Sequence, residues 1–236
     1  MTRAIYTIAV AMLLSAIILG SSYYNARKQV NTIRVVGYAA GEYESDILKW
    51  RLTFSINTTQ ANQAQGFQLL GRDLTRFRDF LDRKGFDTRE IEIMQAFNWP
   101  IYNRDGNISG HQFQQPVAFT LRDTARFKEI ENIMFDMSEL IATGVTITNS
   151  SIEYYISRLP EVKLEIIAEA TKDARERALT VANTTSTRLG KLINGRVGVF
   201  QITEPFSAEV QSMGMFHTHT RRKQIAVTFT GVFELR

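Results

Sequence analysis

Residues 48–56 read LKWRLTFSI, with Leu48, Trp50, Leu52, Phe54 and Ile56 on one parity and Lys49, Arg51, Thr53 and Ser55 on the other. Strict alternation is the mark of a strand with one buried face, so this stretch calls for a sheet that other elements must cover. Period two returns at Ile33 and Val35, at Ile91, Ile93 and Phe97, at Phe113, Val117, Phe119 and Leu121, and at Ile225, Val227, Phe229, Phe233 and Leu235. Between Tyr102 and Gly110 the run Asn103, Arg104, Asp105, Gly106, Asn107 supplies residues that tolerate positive φ, which predicts a hairpin. Val145 and Ile147 lie on one parity and Ile152, Tyr154 and Ile156 on the other, and a bulge near 149–151 would reconcile them.

Three helical periods supply the cover. Phe67, Leu70, Leu74, Phe77 and Leu81 recur at three and four before Gly85, and Phe127, Ile130, Met134, Met137 and Ile141 do so between Asp123, a capping residue, and Gly144. The third helix follows Pro160 and carries Ile167, Ala170, Ala174, Ala178, Val181 and Thr185, a stripe of mostly small residues suited to close packing. The order is βαββαβ over about residues 46–156, the split pattern of ferredoxin-like sandwiches. The expected class is α+β: a mostly antiparallel sheet with helices on one face, preceded by one short strand and extended by the third helix and two further strands.

Ahead of this lies an uncharged run at residues 4–20, AIYTIAVAMLLSAIILG, between Arg3 and the pair Arg27, Lys28. Its length is at the low edge of a bilayer span and beyond the usual core of a signal peptide; Tyr23 and Tyr24 would suit an interfacial belt. Residues 1–30 are therefore expected to form a membrane anchor with a short linker, and residues 31–236 one domain. The expected location is the inner membrane, single-pass, with the C-terminal domain in the periplasm. The alternative is cleavage near Gly20 and Ser22, giving an exported soluble or outer-membrane-associated protein.

Composition excludes several chemistries. The 236 residues contain no cysteine, which removes disulfides, Cys-ligated metals and thiol nucleophiles. Lys plus Arg number 28 against 24 Asp plus Glu, a net charge of +4, and acids interleave with bases along 72–84, so no nucleic-acid partner is expected. Gly-x-Ser-x-Gly, His-Glu-x-x-His, Walker and dinucleotide motifs are missing, and neither a catalytic residue nor a cofactor is assigned. Glu42, Glu44 and Asp46, and Glu161, Glu165 and Glu169, read as surface groups. His111 reads as a solvated turn residue at the hairpin mouth. Met213, Met215, His217 and His219 alternate, and on an extended segment two thioethers and two imidazoles would point one way, a set suited to copper; Arg221, Arg222 and Lys223 argue against a cation there.

Several stretches together resemble the SIMPL domain family of bacterial envelope proteins: IRVVG at 33–37 with DILKWRLTF at 46–54, Tyr102 with Gly106 and Gly110, QQPVAFTLRD at 114–123, residues 149–155, IAEATKDARERA at 167–178, RLGK at 188–191, and the final strand at 225–235. The resemblance implies a periplasmic or outer-membrane-associated protein, in some members tied to oxidative-stress defence and in some assembled into large homo-oligomers, with no defined catalytic residues. The expected function is non-enzymatic: a membrane-anchored envelope protein that self-assembles or holds a partner; the strand at 225–235 is covered either by the strand at 33–35 of the same chain or by a neighbouring subunit. The alternative is a periplasmic ligand or copper carrier using residues 213–219.

Overall fold

The computed structural model describes residues 2–27, 31–207 and 212–236, with side chains 9–23 in its first helix. The elements run α1 (Thr2–Arg27), β1 (Thr32–Glu44), β2 (Ile47–Thr59), α2 (Gly66–Arg83), β3 (Ile91–Ile93), β4 (Phe97–Tyr102), β5 (Ile108–Leu121), α3 (Phe127–Phe135), α4 (Ser138–Ala142), β6 (Ile147–Tyr155), α5 (Leu159–Thr184), β7 (Leu189–Val197), β8 (Gln201–Thr203), β9 (Met215–Phe216) and β10 (Arg222–Leu235). The sequence gathers residues 31–236 into one domain, whereas the contacts divide the chain into two compact units. The first is residues 1–39, 167–198 and 228–236; the second is 40–166 and 199–227.

The second unit contains the βαββαβ pattern. Its sheet has the order β3-β5-β2-β6 with β4 also on β5, all antiparallel, which is the spatial order the split pattern requires. Leu48, Trp50, Leu52 and Phe54 from β2 meet Phe113, Val117 and Phe119 from β5 beneath Leu70, Phe77, Phe80 and Leu81 of α2 and Phe127 and Ile130 of α3. Phe77 lies edge-on to Trp50 at 5.6 Å and to Phe54 at 5.5 Å, the arrangement that ring quadrupoles favour. The buried indole N–H of Trp50 donates to Ser150 Oγ at 2.9 Å.

The predicted hairpin joins β4 to β5, with Asn103 Oδ1 accepting from the N–H groups of Asp105 and Asn107 and Gly106 at φ 80°. The register shift opposite Thr53 falls between Asn149 and Ile147, so the extra residue is Thr148, just ahead of the predicted bulge. One predicted helix is two: α3 ends where Asp136 turns extended, its side chain accepting from Ser138 N–H, and α4 restarts there. That break leaves Ile141 half exposed instead of buried.

In the first unit β10 lies between β1 and β7, antiparallel to β7 from Phe229↔Val197 to Leu235↔Leu189. Leu235 N–H donates to the Asn31 carbonyl, where the end of β10 meets the start of β1. Ala170, Ala174, Ala178 and Ala182, a strict spacing of four, are wholly buried, while Val181 is exposed. A Cβ on Gly37 would lie 2.1 Å from the Ala170 carbonyl oxygen and 2.5 Å from Ala174 N, so only glycine lets helix and strand come so close.

Two expectations are corrected here. The strands that flank the third helix build a second sheet, which also holds β8 and β9, and do not extend the first. The strand foreseen at 33–35 is thirteen residues long and includes Glu42 and Glu44. Of the two covers open to the final strand, the structure has the strand at 33–35: β1 lies beside β10, so the sheet edges of the first unit are β1 and β7. Among the described residues no helix is long and apolar enough to cross a membrane; side chains 4–8 of the apolar run lie outside them.

Candidate functional site

Side chains alternate across a strand, so β2 sends Lys49, Arg51, Thr53 and Ser55 to the face turned away from the helices. Register brings Glu153 of β6, Gln112 and Gln114 of β5, and Phe97 and Trp99 of β4 to that same face. Arg51 Nε donates to Glu153 Oε2 at 2.6 Å, and the Tyr155 hydroxyl donates to the same oxygen at 2.8 Å. Burial pushes the Glu153 carboxyl up, yet Arg51 and Tyr155 outweigh it and hold it below the ordinary glutamate value. Lys49 Nζ reaches Glu92 at 2.8 Å.

Across the face, Trp99 Nε1 donates to Gln112 Oε1 at 2.8 Å and Gln112 Nε2 donates to Ser55 Oγ at 3.3 Å, which fixes the indole and the amide together. Phe97 stacks on Trp99 with centroids 5.0 Å apart, and the two rings remain 39% and 40% exposed. Period two groups Phe97 with Ile91 and Ile93 on one strand face, but the structure turns it outward. Its partner across the ladder is Gln114 whereas the core ring Phe113 faces Asn98, which turns Phe97 outward. The register shift between Ile101 and Tyr102 sets this phase, since a hairpin symmetric about Asp105 would put Phe97 opposite Phe113, and nothing in the sequence marks that shift. Held amides, an ion pair and two exposed rings suit this face to binding by stacking and hydrogen bonds.

The residues singled out for copper lie at its margin. Phe216 tilts against Tyr155 at 6.1 Å, and His219 is close enough to Glu153 for its charge to help lower that carboxyl. Met213 is 93% exposed and Met215 only 8%, so the thioethers do not share a face; Gly214 at φ 87° breaks the extended alternation between them. His217 is held through its backbone, its N–H donating to Ile202 O at 2.9 Å. Among the described residues no three His, Asp or Glu side chains gather as a metal site. His111 is not in the turn: it lies in β5 opposite Thr58 and Pro100, and its Nδ1 is buried without a partner.

Behind the 217–223 segment lies a group the sequence hid. Lys223 belongs to the run Arg221, Arg222, Lys223 that resembles a solvated surface, yet its side chain is 1% exposed. Its Nζ donates to the carbonyl oxygens of His217 at 2.5 Å and Thr220 at 2.9 Å, and burial lowers its pKa to about 8. Beside it, the Arg221 guanidinium lies over the Phe127 ring at 5.2 Å and 3.7 Å from Glu44. Asp46 accepts from Ser157 N–H at 2.7 Å and from the Ser157 hydroxyl; burial raises its pKa, and these bonds more than offset the rise.

Compared with known proteins, residues 33–233 match the family model SIMPL, described as a protein of unknown function (DUF541). No curated protein matches the chain.

Proposed function

The chain belongs to the SIMPL family, and from that premise we propose that it is a membrane-tethered binding protein of the bacterial envelope. In this reading α1 holds it to the inner membrane, the rest of the chain stands in the periplasm, and it works by holding a partner or further copies of itself, without catalysing a reaction.

The observation that carries the reading is the state of α1. Every described side chain from Ala9 to Ser22 is exposed, including Met12, Leu13, Leu14, Ile17, Ile18 and Leu19, so among the described residues nothing covers this apolar stretch. Such a helix needs either a core or lipid, at roughly 25 cal/mol for each Å² of apolar surface removed from water. The uncharged run at 4–20 extends this apolar stretch by five residues toward the N-terminus. Self-association draws support from the open edges of β1 and β7, and partner binding from the Phe97 and Trp99 face.

Alkaline extraction of membranes from cells making the full chain tests the tether. The chain stays in the pellet, and Leu14→Arg with Ile18→Arg releases it. A mature N terminus at Tyr23 would replace the tether with an exported soluble protein, and a reporter fused after Arg236 that works only in the cytoplasm would reverse the orientation. Light scattering of the purified full chain tests self-association: a monomer at micromolar concentration leaves partner binding alone. Copper carriage by residues 213–219 ranks behind, because Met213 and Met215 do not face the same way. Calorimetric titration with copper(I), wild type against His217→Ala with His219→Ala, decides it.

A further inference from the structure

We propose that the second unit encloses a site for a small inorganic anion of chloride size, formed by the Arg221 Nε–H, the hydroxyls of Ser45 and Thr220, and the ammonium of Lys223. Arg221 Nε, Ser45 Oγ and Thr220 Oγ1 are each sealed from solvent and have no hydrogen-bond partner among the described residues. Three such orphans in one short region are costly, since each unpaired buried polar group loses its hydration for nothing in return.

The backbone gathers them. Ser45 N–H donates to the Arg221 carbonyl at 2.9 Å, so the two residues are paired just ahead of β10. Lys223 follows two residues on, and its ammonium folds back onto the Thr220 carbonyl at 2.9 Å. An ammonium has three hydrogens, and two of them are spent on the carbonyls of His217 and Thr220. The remaining hydrogen, the guanidinium Nε–H and two hydroxyl protons make a set rich in donors.

Neighbouring carboxylates are committed elsewhere. Glu44 answers the far end of Arg221 at 3.7 Å, Asp46 holds Ser157, and Glu131 accepts from the Tyr154 hydroxyl at 2.6 Å. An internal water is the neutral competitor: it could accept from two of these donors and donate to the Ser45 and Thr220 hydroxyl oxygens, but it leaves the buried ammonium without a counter-charge. A monatomic anion accepts from several directions, donates nothing and offsets the buried ammonium. Sulfate or phosphate brings four oxygens to donors that have no opening to solvent.

The test uses the full chain in detergent, unfolded thermally in sodium gluconate as chloride replaces gluconate at constant ionic strength. A ligand that binds only the folded state raises the midpoint, so we expect a saturable rise of a few degrees with chloride and with bromide and none with sulfate. Ser45→Ala with Thr220→Val, which removes donors and leaves every charge, is expected to abolish the rise. Equal curves in gluconate and chloride, or an undiminished rise in the double variant, overturn the proposal. Should that variant fail to fold, wild-type crystals grown in bromide give the answer: an anomalous peak beside Arg221 Nε supports the site, and a water or empty density there overturns it.

Discussion

The two units solve the same problem, covering a sheet with a helix, by opposite means. In the second unit the gap is filled with rings: Trp50, Phe54, Phe77, Phe80, Phe113, Phe119 and Phe127 are all at most 1% exposed. In the first unit the gap is removed, because Gly37 and the alanines at 170, 174, 178 and 182 let backbones meet. A core of large rings should suffer most from truncation and a core of close approach most from growth.

Phe77→Ala should have the largest effect, about 4 kcal/mol, because it empties the space between Trp50 and Phe54. Urea unfolding gives the magnitude, and hydrogen exchange should locate the loss in β2 and α2; Phe77→Leu should recover most of it. Next, Ala174→Leu should cost about 3 kcal/mol by overpacking, with exchange rising in α5 and β1, whereas Ala174→Gly should cost only about 1 kcal/mol through helix propensity. A leucine tolerated at 174 would break the comparison.

Lys223→Met sharpens it on the polar side of the ring-packed unit. The folded pKa of Lys223 is about 8, below the ordinary 10.5. Between these values the unfolded chain keeps a proton that the folded chain has shed, so stability should rise with pH across that window. In chloride-free gluconate, Lys223→Met should lack this slope and be more stable by up to about 2 kcal/mol near neutral pH. A wild-type slope in the variant would assign the titration elsewhere. The smallest effect is expected at Asp46. Its lowered pKa means that its contribution is present above the ordinary aspartate range and lost as pH falls through the folded value. Asp46→Ala should cost about 1 kcal/mol at neutral pH and flatten the acid limb of the stability profile.

The second unit was readable because its residues alternate without interruption. Nine positions of β2, the turn at 103–107 and the spacing of α2 all agree on one sandwich. The first unit was harder because close approach leaves no apolar pattern: Gly37 and Ala39 on β1 and the alanines of α5 carry almost no hydrophobic signal. Backbone events were the other blind spot. Asp136 splits a helix whose apolar period runs straight through, and Gly214 undoes the alternation that seemed to align Met213 with Met215. At the candidate face, Trp99 and Gln112 are 13 residues apart and meet only because the hairpin folds. Lys223 was hidden by its neighbours, since charge in a run says nothing about which member turns inward.

The edge strand β1 has one more dependency. The N–H of Tyr38 donates to Asp173 Oδ2 of α5 at 2.7 Å, a bond that, together with Arg177, holds that carboxyl below its ordinary pKa. A helix residue 135 positions away thus occupies a donor that would otherwise invite a foreign strand. Variants at Asp173 should therefore show themselves less in the melting curve than on the shelf: clear solutions that turn cloudy with time and concentration, as the wild type should in acid, where its own carboxylate lets go.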